Sequence, residues 1–461
     1  MIRIFSHYVS KLAFFLLLVE LAILLFSAAL SSAIWHDARH VSRADNLYLS
    51  SLAFALVIVF SMSALGMYQH SSREDIRHTL LRIMPSFGLG FGLLSLLFYA
   101  VPAIHFTSGG SLIFLLGAAG VLLARVVVFK SAESAMLEGR LIVIGAGALA
   151  KDCLDLAAGR LGFHQFTVVG CVALPGETCC VPASALLPAG PSLLATARQY
   201  HADEIVVSVS DRRGGGFPVG ELLACVLGGV RVTDAATFFE REACQIRIDS
   251  VPPSYLIFGG GFDQSHLRSA VKRVVDLLAS GAICLISLPV MLLTALCIRL
   301  EDGGPVFYQQ ERVGKDGKLF KVLKFRSMRC DAEQDGKPRW AATNDPRVTR
   351  IGNLIRKLRI DELPQMFNVF KGEMSFVGPR PERAFFVEQL KSEVAYYDVR
   401  HSIKPGITGL AQVRYQYGAS IDDAVRKLQY DLYYVKNHSL FLDLLILIDT
   451  VQVVLLGKGS R

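Results

Sequence analysis

No two cysteines in this 461-residue chain stand at CxxC spacing, and there is no zinc-finger spacing and no arginine-rich tail. These absences remove the usual small metal modules and leave little support for nucleic-acid binding. The cysteines number nine, and only Cys179 and Cys180 are adjacent. No disulfide framework is legible, so reduced, mostly buried thiols are expected for Cys153, Cys171, Cys225 and Cys244. Charge is scarce as well: 19% of residues are charged against 52% hydrophobic, with a mean hydropathy of +0.42. That balance excludes an ordinary soluble protein and points to membrane spans. The net charge of +8 favours anionic lipid or phosphorylated ligands as partners.

What is present begins with four long apolar segments, roughly Leu12–Ile34, Leu47–Met67, Ile83–Ile104 and Leu112–Phe129. Each is near the ~20 residues that cross a ~30 Å hydrocarbon core. The first run is too long for a cleavable signal, and further spans follow it. Short connections predict an antiparallel four-helix bundle over residues 1–131. Basic residues flank it at Arg3, Lys11, Arg73, Arg77, Arg82 and Lys130, against Arg39 and Arg43 in the first loop. The balance places both ends of the bundle in the cytoplasm. Glu20 lies inside the first span, where a carboxylate is either functional or bonded across a helix interface.

After Arg140 the pattern changes. "RLIVIGAGALAKDCLDLAAG" reads as strand, glycine turn and helix, and "FTVVGCVAL" and "ADEIVVSVS" read as further strands. Alternating strands and helices predict a Rossmann-like parallel α/β domain over residues 132–255, followed by a linker at 256–271. Gly145, Gly147 and Ala150 fit the dinucleotide fingerprint. That fingerprint also requires an acid at the end of the second strand, for the ribose. Here the strand ends in Ala173 and Leu174, and the nearest acid is Glu177. A fold kept for packing or regulation is the favoured reading.

The apolar segment Lys272–Leu300 is long enough to be a fifth span, which would put residues 301–461 outside the cell. Pro289 offers another solution, since it removes a backbone donor and bends a helix. From Arg273 to Pro289 a helix rises about 24 Å, which suits a helix that dips into one leaflet and returns. Lys272 and Arg273 would then sit at the anionic cytoplasmic surface. Composition alone leaves both readings open.

Charge collects in "RKLRIDELPQMFNVFKGEMSFVGPRPE" (356–382). Asp361 and Glu362 stand among Arg356, Lys357, Arg359, Arg380 and Arg383. Guanidinium groups hold phosphate oxygens in two-point contacts, so this reads as a phosphate site. The pair also reads as a helix start with Asp361 as N-cap. The apolar run Leu440–Leu456 carries Asp443 and Asp449 and reads as a packed or interfacial helix rather than a span.

The motifs "KRVVDLL", "GGPVFYQQERVGKDGKLFKVLKFRSM", "TNDPRVTRIGNLIRKLRIDELPQMFNVFKGEMSFVGPRPE" and "IKPGITGLAQV" occur in that order. Residues 272–461 thereby resemble the bacterial sugar transferase family, the monotopic phosphoglycosyl transferases. The four-span front and Rossmann-like middle resemble its large polyprenyl-phosphate hexose-1-phosphate transferases.

The resemblance implies an α-rich catalytic domain at the cytoplasmic face of the bacterial inner membrane. It implies a re-entrant helix (272–300) broken at Pro289, with Lys272, Arg273 and Asp276 at its start. Many members carry Ser directly before that proline; here Leu288 stands there and Ser287 one position earlier. The implied reaction is transfer of a sugar-1-phosphate from a UDP-sugar, of the UDP-glucose or UDP-galactose type, to undecaprenyl phosphate, with release of UMP. Such a step begins exopolysaccharide, capsule or O-antigen synthesis. Asp361 matches the family's nucleophile and Glu362 a ligand of Mg²⁺. Arg356 and Arg380 match phosphate-binding arginines. Lys324 and Arg326 of "KFRSM" and Arg383 are further candidates for substrate contact. A homodimer is compatible with the resemblance, and nucleic acid is not an expected partner.

Overall fold

The computed structural model describes residues 1–36, 47–68, 76–102, 110–132, 139–158, 166–188, 190–209, 217–248, 251, 253–258, 260–262, 265–330, 345, 347–415 and 420–455. Arg39, Arg43 and Arg73 of the orientation argument lie outside these residues. The chain forms two compact units, one made of Met1–Ile4 and Tyr8–Ala243, the other of Phe5–His7 and Cys244–Arg461.

A short ribbon, β1 (Ile2–Ile4) and β2 (His7–Val9), precedes the apolar helices α1 (Lys11–His36), α2 (Leu47–Ala64), α3 (Ile76–Ala100) and α4 (Gly110–Ala132). α1, α3 and α4 are long and apolar enough to cross a membrane, whereas α2 is shorter than expected. It stops at Ala64 because Gly66 adopts φ +76. Met67 N–H then reaches back to the Met62 carbonyl and Gly66 N–H to that of Ser63, a glycine-capped helix end. Leu24, Phe54, Ile58, Leu94 and Val121 form the bundle core.

Glu20 is paired across this bundle. Its carboxylate lies 2.7 Å from Arg125 Nε of α4, and both side chains are fully buried. Tyr68 donates to Glu20 Oε2 at 2.5 Å, and Arg125 Nη1 donates to the Met67 carbonyl at 3.1 Å. The intramembrane carboxylate is therefore an interhelical tie.

In the α/β part, β3 (Gly139–Ile144), α5 (Ala148–Ala158), β4 (Phe166–Val172), α6 (Leu193–Gln199), β5 (Glu204–Val207), α7 (Val219–Leu227), β6 (Arg231–Asp234) and α8 (Ala235–Ala243) follow in turn. The strands pair in parallel in the order β4-β3-β5-β6. Both faces are covered, which explains the near-continuous apolar strands. Cys153 and Leu149 of α5 pack with Phe238 and Phe239 of α8 on one side. Leu193 and Ala197 of α6 pack with Leu222 and Cys225 of α7 on the other. All nine cysteines are free, and Cys153, Cys171 and Cys225 are buried.

The second unit begins with α9 (Pro253–Phe258) and α10 (His266–Asp302). α10 starts on a Ser265 cap, ends on Gly303 at φ +70, and stays helical through Pro289. An antiparallel hairpin of β7 (Phe307–Val313) and β8 (Leu319–Phe325) follows. Next come α11 (Arg350–Lys357), α12 (Met366–Lys371), β9 (Ser375–Val377), α13 (Ala384–Glu393), β10 (Gly406–Thr408), α14 (Leu410–Arg414), α15 (Ile421–Asn437) and α16 (Leu440–Leu455). β9 and β10 pair in parallel. α16 is packed on its inner side by Leu442 and Ile446, and its acids are paired: Asp443 with Lys272, Asp449 with Arg414.

Arg125→Met should lower the thermal midpoint of the detergent-solubilised protein, since stranding one partner of a buried pair costs about 3–5 kcal/mol. Glu20→Leu combined with Arg125→Met should recover most of the loss. A single variant as stable as the parent would contradict the tie.

Candidate active site

The site is built where α11 ends. Thr349 caps its start, accepting from Gly352 N–H at 2.9 Å. At the other end Arg359 adopts φ +59, a conformation that L-residues visit seldom. The chain turns there into a 3₁₀ segment, Ile360–Gln365, whose first turn carries Asp361 and Glu362. Asp361 is thus not the helix N-cap; the capping position belongs to Arg359.

Both carboxylates are buried, at 9% and 8% exposure. Glu362 Oε1 accepts from Lys324 Nζ of β8 at 2.8 Å and from Arg380 Nη2 at 2.8 Å, and Oε2 lies 3.9 Å from Arg359 Nη1. Burial alone pushes the Glu362 carboxyl up, but Arg380, Lys324 and Arg359 outweigh it and hold the group well below the carboxylate range. Asp361 goes the other way. Burial and the neighbouring Glu362 charge raise it, and the same cations pull it only part of the way back. Among the described residues no side chain is recorded bonding the Asp361 carboxylate. The pair is therefore split into one neutralised, pinned carboxylate and one more basic, unpinned one.

Arg380 is held from several sides. Its Nη1 donates to Gln412 Oε1 at 2.9 Å. The loop Gly378–Pro381 receives bonds from Gly406 N–H to the Pro379 carbonyl, from Arg400 to that of Arg380, and from Arg312 to that of Pro381. Arg400 is itself fixed by buried Asp431 at 2.8 Å. Glycine is required at Gly378, since a Cβ there would sit 2.5 Å from the Lys404 carbonyl oxygen.

β9 leads directly into this loop, and α10 grips β9. Asp276 accepts from Ser375 Oγ at 2.8 Å and from Phe376 N–H at 3.1 Å. Tyr434 donates to Asp443 Oδ1 at 2.6 Å, with the Val377 carbonyl 3.0 Å from the same hydroxyl, and Asp443 accepts from Lys272. Arg273 donates to the carbonyls of Val369 and Phe370, at the end of α12. The charged ends of Lys272 and Arg273 are thus engaged by protein groups.

The structure gathers Asp361, Glu362, Lys324, Arg380 and Arg359. It does not bring Arg326 to them: that guanidinium is bound by Asp302 at the end of α10. Arg356 is half-buried on α11, and its charge bears on Asp345. Arg383 stands at the start of α13, close to Arg312. Gln412, Arg400, Asp431 and Arg312 are not visible in the sequence, because their bonds at the site join residues 20 to 69 positions apart.

Among the described residues no group of three His, Cys, Asp or Glu side chains could hold a metal ion. Glu362 Oε1 is taken by Lys324 and Arg380, while Oε2 faces Arg359 at 3.9 Å; Oε2 is the oxygen through which Glu362 would hold a hard divalent cation, the other ligands being phosphate oxygens and water.

A family described as bacterial sugar transferase matches residues 267–457. The chain is 42% identical over 259 residues to the UDP-N-acetylgalactosamine-undecaprenyl-phosphate N-acetylgalactosaminephosphotransferase of Aeromonas hydrophila, covering 56% of this chain and 60% of that protein. It is 37% identical over 246 residues to the UDP-glucose:undecaprenyl-phosphate glucose-1-phosphate transferase of Klebsiella pneumoniae, covering 52% of each. It is also 39% identical over 203 residues to the exopolysaccharide production protein ExoY of Rhizobium meliloti (strain 1021), covering 41% of this chain and 87% of that protein. The chain thus spans between half and two thirds of the length of the first two relatives.

Asp276→Ala should lower the thermal midpoint of the purified protein, because it strips a buried N–H and a buried hydroxyl of their acceptor at about 1–3 kcal/mol. Ser375→Ala should cost less. Equal, negligible shifts for both would show that α10 does not grip β9 through this carboxylate.

Proposed function

Because this chain belongs to the bacterial sugar transferase family, we propose that it transfers a sugar-1-phosphate from a UDP-sugar to undecaprenyl phosphate. Its relatives' names include glucose, galactose and N-acetylgalactosamine as the sugar, and the donor is proposed from that set. The observation that carries the reading is the split pair: Glu362 neutralised by three cations beside an unbonded Asp361.

In the proposed reaction an Asp361 oxygen attacks the phosphorus bearing the sugar. The bond from that phosphorus to the UMP oxygen breaks, and UMP leaves with the electron pair. An oxygen of the lipid phosphate then attacks the same phosphorus and releases Asp361. A carboxylate is a weak nucleophile facing an anionic diphosphate, so the repulsion must be cancelled. Arg380 and Lys324 supply fixed positive charge at that place, and the raised basicity of Asp361 strengthens the attack. Mg²⁺, held by Glu362 and substrate oxygens, would add charge neutralisation on the diphosphate.

The placement proposed is the cytoplasmic face of the inner membrane, with α10 entering one leaflet and returning at Pro289. Arg273 is tied to α12 and Glu301 accepts from the N–H of Arg350 at the start of α11. These anchors are 28 residues apart, or about 42 Å along a straight helix. Yet α11 and the 3₁₀ segment leading to α12 fold back on one another, through Ile351, Ile355, Ile360 and Leu363 packed in one cluster. Both ends of α10 are therefore tied to neighbouring elements of one unit, which supports a helix whose two ends lie on the same side of the bilayer.

The test is release of UMP by the purified protein given Mg²⁺, undecaprenyl phosphate and each UDP-sugar separately. Release from one sugar, dependent on lipid and metal, is expected. Asp361→Asn should reduce it by at least about 10²-fold with the thermal midpoint unchanged. No release from any UDP-sugar by a folded sample would overturn the reaction, and an active Asp361→Asn protein would overturn the nucleophile.

A further inference from the structure

The strand order β4-β3-β5-β6 reverses direction at β3, and in such sheets the ligand crevice lies beyond the carboxyl ends of the strands at that point. The glycine turn Gly145–Gly147 stands there, at the mouth of α5. Its N–H groups are where a nucleotide's pyrophosphate would be received. They are already occupied. Glu177 Oε2 accepts from Ala146 N–H at 2.8 Å, and Oε1 accepts from Gly147 N–H at 3.0 Å. A Cβ at Gly147 would lie 2.8 Å from Glu177 Oε1, so the glycine lets the carboxylate settle on the turn.

The segment bearing Glu177 is fixed over the turn rather than loosely draped. Gly176, at φ +82, reverses the chain just before it. Cys180 N–H donates to the Ala146 carbonyl at 2.7 Å, and Glu177 N–H to that of Leu174 at 3.3 Å. Gly145 N–H is spent on the Val172 carbonyl at 2.8 Å. The acid that should reach a ribose from the end of the second strand is absent, and the next acid along the chain is turned into the phosphate position instead.

We propose that Glu177 is an internal phosphate mimic that shuts the nucleotide cradle of the central domain. An incoming dinucleotide would have to expel a carboxylate tethered at high effective concentration. It would also bring two negative charges against one already there. The central domain then works as a nucleotide-free unit, closed by its own side chain. This holds whatever reaction the second unit performs.

The full-length protein in detergent would be titrated with NADH and, separately, with NADPH, following fluorescence. Parallel titrations would use Glu177→Ala and Glu177→Gln, each checked for an unchanged thermal midpoint. The wild type should show no saturable binding, and Glu177→Ala should gain affinity by at least about tenfold. Glu177→Gln, uncharged but still able to accept, should fall between them. Saturable binding by the wild type would overturn the closure. A folded Glu177→Ala that binds no better than the wild type would overturn Glu177 as its cause. Hydrogen exchange gives a second reading: the amides of Ala146 and Gly147 should be protected in the wild type and lose protection in Glu177→Ala. Equal exchange in both would equally overturn it.

Discussion

Two adjacent buried carboxylates repel one another, and burial penalises each charge. The second unit resolves this by neutralising one of them. Lys324 and Arg380 converge on a single oxygen of Glu362, with Arg359 near the other. Asp361 is left more basic, raised by burial and by the Glu362 charge, and unbound by side chains among the described residues. Several other features of this unit hold those cations in place. The β7–β8 hairpin delivers Lys324, the left-handed Arg359 turns the chain, and the glycine-packed loop at Gly378 presents Arg380.

The support reaches into the long apolar helix α10. α10 holds β9 through Asp276 and the end of α12 through Arg273, and its far end holds Arg326 and α11 through Asp302 and Glu301. One apolar helix thus fixes elements on both sides of the carboxylate pair. A polar network is costly when half satisfied. Here Lys272, Asp443 and Tyr434 complete it, so the polar base of an otherwise apolar helix is accounted for.

Much of this was legible in the sequence, for physical reasons that differ by element. Long apolar runs give away the bundle, and strand–glycine–helix periodicity gives away the parallel sheet. The bundle boundaries were less legible, because Gly66 ends α2 by a local cap that hydropathy does not register. Lys324 and Arg326 stand two apart and look equivalent. β8 ends at Phe325, however, and beyond it Arg326 turns to Asp302. Charge clustering pointed to Asp361 and Glu362, yet it said nothing of Gln412 or of Arg400 with Asp431, which join across the fold. Glu20 was visible as an anomaly, but its partner, 105 residues away, was not. The missing ribose acid after β4 was also visible, and only the fold shows where Glu177 goes instead.

The central claim is that Asp361 itself takes the phosphosugar. The most direct measurement is to mix the purified protein with each UDP-sugar in turn, omit the lipid, quench rapidly and sequence the peptides by mass. The account predicts a sugar phosphate joined to Asp361 as an acyl phosphate, formed with release of UMP and discharged when undecaprenyl phosphate is added. UMP released only when lipid is present, with no adduct on any side chain, would contradict it and point to direct displacement by the lipid.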